Sequence, residues 1–328
     1  MKTIFFKNCP KIISTSTVAG PKEVQGALGD YIETKLENDT FNEKSFERAE
    51  SKILYTAIKD SIKNAKKTYD DIDVILAGDL LDQIISSTFA VRNFNSGYLG
   101  LYNACATFTE ALTIGATFID ANHFDNVVCA TSSHFSSAER QYRYPLELGS
   151  TRPPQSQWTV TGAGACVLSK YGKGPKITSA TIGKIVDYGV VDANNMGAAM
   201  APAGADTLVT HFKETGLTPT DYDLIISGDL GALGSRILKD LTFEKGYNIE
   251  KQHVDCGELI YNIAEKEYQG GSGAGCSSLV FCSYIYDKLI KRKLKKVLLM
   301  ATGALLSSLS FQQGESIPGI AHAVSIEI

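Results

Sequence analysis

Two short apolar runs set the rhythm of this chain. Asp73-Val-Ile-Leu-Ala-Gly-Asp-Leu80 returns 150 residues later as Asp223-Leu-Ile-Ile-Ser-Gly-Asp-Leu230. Each is an acidic residue, a β-rich apolar run and then Gly-Asp-Leu, which predicts a strand buried on both faces that ends in a loop. A helical pattern precedes each: Ile53, Leu54, Ala57, Ile58 and Ile62 within 49–65, and Leu208, Val209 and Phe212 within 205–215.

The repeat continues downstream with a shifted register. Phe124-Asp-Asn-Val-Val-Cys-Ala-Thr-Ser-Ser133 corresponds to Leu294-Lys-Lys-Val-Leu-Leu-Met-Ala-Thr-Gly303, and the helix-like stretches 105–120 and 275–290 precede them. Small-residue strands, Thr161-Gly-Ala-Gly-Ala-Cys-Val-Leu-Ser169 and Gly319-Ile-Ala-His-Ala-Val-Ser-Ile-Glu327, close the two halves, 1–172 and 173–328. Each half reads strand, helix, strand, helix, strand. That order predicts a mostly parallel sheet with right-handed crossovers. Ligands in open α/β sheets gather beyond the carboxyl ends of strands, so Asp79, Ser132-Ser133-His134 and Asp229 become candidates.

Composition narrows the class. The 328 residues carry 32 Lys+Arg against 36 Asp+Glu, a net charge of -4 with no basic stripe beyond 288–296, which reads as a solvated helix end. Nucleic acid is therefore not the expected partner. No run approaches the roughly 20 apolar residues of a membrane span, and the first 13 residues lack the apolar core of a signal peptide. Synthesis in the cytosol is expected. The 7 cysteines are odd in number and form no C-x-x-C pair, which fits reduced thiols.

One cysteine stands out. Tyr102-Asn-Ala-Cys105-Ala-Thr opens a helix whose apolar face runs through Phe108, Ala111, Leu112, Gly115, Phe118 and Ile119. A thiol there meets unpaired N–H groups and the positive end of the helix dipole, which together predict a lowered pKa; the alternative is a buried, inert thiol.

This elbow, within duplicated halves, resembles that of thiolases and 3-oxoacyl-acyl-carrier-protein synthase III enzymes. The resemblance implies a thiolase-like α/β fold of five layers, αβαβα, built from two duplicated βαβαβ halves. A closer resemblance spans essentially the whole chain. Ala77-Gly-Asp-Leu, Tyr98-Leu-Gly-Leu-Tyr, Thr131-Ser-Ser-His134, Arg143-Tyr-Pro, Pro153-Pro-Gln-Ser-Gln-Trp-Thr-Val-Thr-Gly-Ala-Gly-Ala165 and Asp255-Cys-Gly-Glu-Leu-Ile-Tyr261 resemble the stage V sporulation protein AD family.

Thiolase-type condensation also needs a His and a further His or Asn, in two turns of the second half. The matching stretches, Ser227-Gly-Asp-Leu-Gly-Ala-Leu-Gly234 and Gly270-Gly-Ser-Gly-Ala-Gly-Cys276, contain neither. Asp229 would be an acceptor where a donor is required. The expected role is thus noncatalytic binding. The resemblance implies dipicolinic acid, free or as its calcium chelate, taken up into the developing spore; calcium would travel with the ligand, and no other cofactor or resident metal is expected. It further implies membrane proteins of the same sporulation system as partners, a peripheral place at the forespore or spore inner membrane, and a homodimer.

Ligand contacts are expected from Asp79, Cys105, Ser132, Ser133, His134 and Arg143, with Arg152 a further donor. The competing readings are plain. Asp79 and Asp229 can cap their own turns, and Ser132 to His134 can cap the following helix. Trp158 is expected to pack. His253-x-Asp255-Cys256 lacks a second ligand pair, and the glycines of 270–275 lack a phosphate-loop ending. The rival function is an acyltransferase or condensing enzyme using Cys105 with His134 as a rearranged base. A scaffold with an empty pocket is the third.

Overall fold

The computed structural model describes residues 1–142, 152–261 and 268–328, so Arg143 lies outside the described residues. Ten strands carry the architecture. The first five are β1 (Lys11–Ala19), β2 (Val74–Gly78), β3 (Gly97–Gly100), β4 (Asn126–Ser133) and β5 (Gly162–Ser169); the second five are β6 (Lys176–Ile182), β7 (Leu224–Ser227), β8 (His253–Asp255), β9 (Lys296–Ala304) and β10 (Gly319–Glu327). Their spatial orders are β3-β2-β4-β5-β1 and β8-β7-β9-β10-β6. The two permutations are identical, which is the repeat in the sequence expressed as topology. β1 and β6 meet through one pair, Lys11 opposite Lys176.

Helices separate and cover the two strand sets. They are α1 (Phe46–Asn64), α2 (Ile85–Val91), α3 (Thr107–Asp120), α4 (Phe135–Tyr142), α5 (Met196–Thr215), α6 (Gly231–Glu244), α7 (Ala274–Val280) and, after a π-helical turn, α8 (Tyr286–Ile290). α1 packs on β1, β4 and β5, and α5 on β9 and β10; between the sets lie α3, touching β2, β4, β9 and β10, and α7, touching β4 and β5. Five layers result.

Strand periodicity explains why the middle strands read as unbroken apolar runs. Ile75 and Val128 face the outer cluster with Ile53, Leu54 and Ile58, while Leu76 and Val127 face the central cluster with Phe108, Leu112 and Phe281. In the second half Leu298 faces Met200, Leu208 and Phe212, and Leu299 turns inward. Alternate side chains point to opposite faces, and both faces are covered.

Two expectations are corrected. β5 and β10 run antiparallel to both their neighbours, so among these ten strands the parallel pairs are β2 with β3 and β4, and β7 with β8 and β9. An antiparallel return needs no crossover, because the chain comes back from the end at which the preceding strand finished. The helix expected from 205 begins instead at Met196, capped by the Asn195 side chain accepting from Ala198 N. Its first turns, rich in Ala, Gly and Pro202, hide the helical period but permit close packing. A Cβ on Gly234 would stand 2.8 Å from Gly197 Cα.

The middle layer depends on one such approach. A Cβ at Gly164 of β5 would lie 2.2 Å from the carbonyl oxygen of Ser278 in α7, and Gly164 N donates to Ser278 Oγ at 3.2 Å. Gly164→Ala should therefore cost about 2 to 3 kcal/mol through overpacking. A urea titration checks this: the midpoint should fall with the slope unchanged, and an unmoved midpoint would contradict the packing described.

Candidate functional site

The carboxyl ends of the parallel strands converge on a cavity of about 340 Å³. Cys105 reaches it from a 3₁₀ turn, Ala104–Ala106, that leads into α3. Ala104 has φ 48°, a left-handed conformation uncommon outside glycine and often met at functional turns. The elbow fits because the penultimate residue of β9 is a glycine: a Cβ at Gly303 would stand 2.8 Å from Asn103 O.

The thiol is not activated. Burial, followed by the Asp229 carboxylate, pushes the Cys105 thiol well above its ordinary pKa. Cys105 precedes the first residue of α3 proper, is only 9% exposed, and has a carboxylate for its neighbour, so the lowered pKa expected from the helix dipole is corrected. No histidine stands among the groups acting on the sulfur, which are Asp229, the Gly273 backbone and the Ser272 hydroxyl.

Asp229 is fully buried. Its carboxylate accepts from Gly273 N at 2.9 Å, Ser272 Oγ at 3.2 Å and Thr302 Oγ1 at 3.4 Å, and from the thiol of Cys105. Burial raises its pKa to about 6 against these hydrogen bonds. Gln157 Nε2 locks the two turns together, donating to Asp229 O at 2.7 Å and Gly271 O at 2.9 Å. Asp255 secures the first turn, accepting from Leu230 N, Gly231 N and Gly257 N, each at 2.9 Å, and from Ser227 Oγ at 2.6 Å. His253 Nε2 lies 2.8 Å from the same Ser227 hydroxyl. His253 and Asp255 thus brace a turn.

The structure brings one of the sequence-derived candidates to the cavity wall, Cys105. Asp79 accepts from Leu81 N, Ser87 N and Ser87 Oγ at 2.8, 2.7 and 2.7 Å, a cap of its own turn. Ser132 donates to the buried Glu50 at 3.1 Å, and Ser133 donates to Val160 O at 2.6 Å. His134 places Nε2 2.8 Å from Asp39 O and accepts Ser136 N at Nδ1; burial holds its pKa below the ordinary value. These four stand behind the wall. His322 is nearer the elbow, with Nε2 2.9 Å from the Asn103 amide and Nδ1 accepting Gly183 N. Trp158 stacks on Phe135, centroids 3.9 Å apart, as a packing residue does.

The remaining wall was not foreseen. It comprises the phenols of Tyr102 and Tyr142, the hydroxyls of Thr159, Ser272, Ser307 and Ser310, the carboxylates of Asp82 and Glu139, and apolar Leu80, Met196, Met200, Leu305 and Leu306. Tyr102 Oη donates to Asp82 at 3.2 Å, and Arg152 pairs with Glu139 at 3.0 Å. Among the described residues no Lys or Arg lines this cavity. Tyr102, Leu80, Thr159 and Ser272 fall inside motifs the sequence singled out, though none was marked there as a wall residue.

The profile of the family described as stage V sporulation protein AD (SpoVAD) matches residues 1–327. The chain belongs to this family. It is 42% identical over 326 residues to stage V sporulation protein AD of Bacillus subtilis (strain 168), covering 99% of this chain and 96% of that protein. Among solved structures, 3-oxoacyl-[acyl-carrier-protein] synthase III from Aquifex aeolicus aligns with a TM-score of 0.57 at 14% identity, covering 97% of this chain and 100% of that one. OleA from Xanthomonas campestris aligns at 0.63 and 12%, covering 99% of each. These likenesses show a thiolase-like fold. No helix among the described residues is long and apolar enough to cross a membrane.

The thiol and its carboxylate neighbour make a pH-dependent prediction. Above pH 6 Asp229 is ionised and opposes thiolate formation, so Cys105 should react with iodoacetamide far more slowly than a free thiol. Asp229→Asn removes that charge and should speed alkylation at pH 8, by about tenfold. Peptide mass spectrometry over time reads the rate; slower alkylation in the variant would mean that Asp229 serves as a base.

Proposed function

We propose that this protein is a noncatalytic member of the sporulation system that binds dipicolinate as its calcium chelate, in the cavity beside Cys105, for uptake into the developing spore. The observation that carries this reading is the pairing of the thiol with Asp229 and Ser272, where condensation requires an imidazole and an amide or second imidazole. Losing one oxyanion donor costs about 10² to 10³ in rate, and a thiol held neutral is a poor nucleophile.

The wall chemistry supports a small, flat, polar ligand. A cavity of about 340 Å³ lies at the low end for ligand sites. Tyr102 and Tyr142 offer ring faces, and Ser272, Ser307 and Ser310 offer hydroxyl donors to carboxylates. Asp82 and Glu139 would repel a free dianion. Calcium reverses that sign, since carboxylate oxygen is its preferred ligand. In this reading Asp79, Ser132, Ser133 and His134 act indirectly, by holding the wall. Membrane proteins of the same system are the proposed partners, at the forespore or spore inner membrane. A second copy would add along β3, the free edge of the first strand set.

Calorimetry tests the reading. Titration with dipicolinate plus calcium should give saturable heat, and dipicolinate alone should bind at least tenfold more weakly. The double variant Asp82→Asn, Glu139→Gln should narrow that gap. No saturable heat at millimolar chelate overturns the proposal, as does a stable acyl adduct on Cys105 after incubation with acyl-CoA.

A further inference from the structure

The end of the molecule opposite the cavity gathers three stretches of basic residues. Register places one rim of the strands in a row: Lys296 opposite Glu327, Glu327 opposite Lys176, Lys176 opposite Lys11, Lys11 opposite Ser169, and Ser169 opposite Asn126. Three stretches reach this rim, 5–11, 169–176 and 290–296. They carry two, three and five cations and no acid, on a chain whose net charge is -4.

Acids stand at this rim too: Asp73, Asp120 and Asp223 accept backbone N–H groups of Asp125 and Asn126, of Asn8, and of Lys295 and Lys296, and three others are held in ion pairs. Asp125 pairs with Lys170, Asp287 with Lys291 and Glu327 with Lys296. Lys7, Lys173, Lys176, Arg292, Lys293 and Lys295 are exposed and make no ion pair among the described residues. Apolar groups stand beside them: Tyr171 is 62% exposed, with Lys170 Nζ 5.4 Å from its ring centroid, and Ile290 is 48% exposed.

We propose that this rim docks the protein on an anionic phospholipid surface, with the three basic stretches against the headgroups and Tyr171 and Ile290 at the headgroup level. Unpaired cations on short loops follow a diffuse negative surface without needing a shaped partner, and each contributes about fivefold in affinity near such a surface. Exposed Tyr suits the interface because it joins an apolar ring to a polar tip. Nucleic acid is less well matched, since two exposed aromatics, Phe5 and Tyr171, offer no run of stacking platforms. The orientation follows from the strands. Lys296 begins β9 and Ala304, which lines the cavity, ends it, so the two ends are separated by about 26 Å at roughly 3.3 Å per residue. The docked protein turns its cavity away from the bilayer. This surface deepens the peripheral location proposed above, and its test reads lipid binding apart from the cavity.

Sedimentation with vesicles provides that test. The full chain should pellet with vesicles of phosphatidylglycerol and phosphatidylcholine at 0.1 M salt, stay soluble with phosphatidylcholine alone, and be released at 0.5 M salt, where screening is short-ranged. The variant Lys173→Glu, Lys293→Glu should partition at least 25-fold more weakly while keeping its melting temperature and its calorimetric response to calcium dipicolinate. Lys35→Glu, Lys44→Glu, at the other end, should bind vesicles like the parent protein. The proposal is overturned if the parent ignores anionic vesicles, if K173E/K293E pellets equally well, or if the rim captures single-stranded RNA at 0.15 M salt in preference to vesicles.

Discussion

One buried carboxylate joins the parts of this structure that matter for its function. Asp229 ends the turn after β7, and its oxygens take hydrogen bonds from the turn before α7, from Thr302 in β9 and from the elbow before α3. The first two and the last belong to different halves of the duplicated scaffold. A carboxylate removed from water is costly unless donors surround it, so these elements are held in mutual register by its need for them. The cavity between them inherits that geometry.

The same contact decides what chemistry the cavity can perform. A condensing site must form a thiolate and then stabilise negative charge on oxygen; both demands call for positive or donor groups facing the sulfur. Here the neutral thiol donates a hydrogen bond to an anion, and its ionisation is opposed by burial and by charge. The arrangement is stable because it keeps the thiol neutral. Stability of the join and reactivity of the sulfur pull in opposite directions, and the structure favours the join. What remains is a walled space with hydroxyls, phenols and two acids, suited to holding a polar molecule.

Much of the fold was legible because a strand buried on both faces leaves an unbroken apolar run, and two such runs with the same Gly-Asp-Leu ending mark a duplication. The antiparallel closing strands were not legible, since a strand's direction leaves no trace in its composition. Nor was the start of α5, where Ala, Gly and Pro202 carry no amphipathic period. Four of the strand-end candidates do not line the cavity. Sequence placed Ser132, Ser133 and His134 correctly at the end of a strand, but direction along a strand alternates and helix α1 offered Glu50 as a nearer partner. Tyr142 reaches the cavity from the end of α4, and Ser307 and Ser310 from the cap and body of a short helix, Ser308–Gln312, which no strand-end rule identifies.

The two Gly-Asp-Leu turns show how far identical local sequence can diverge in role. Asp79 spends its oxygens on Leu81 and Ser87, within its own half, and so closes a local turn. Asp229 has no comparable serine eight residues on; position 237 is Ile, and its oxygens are left for groups across the pseudo-symmetric join. Turn capping in the second half passes to Asp255, which accepts Leu230 N and Gly231 N from the adjacent strand. That substitution of one capping group by another releases Asp229 toward the sulfur. A duplicated scaffold can thus acquire a new site without altering its strands, by moving a single local hydrogen-bonding task from one residue to its neighbour.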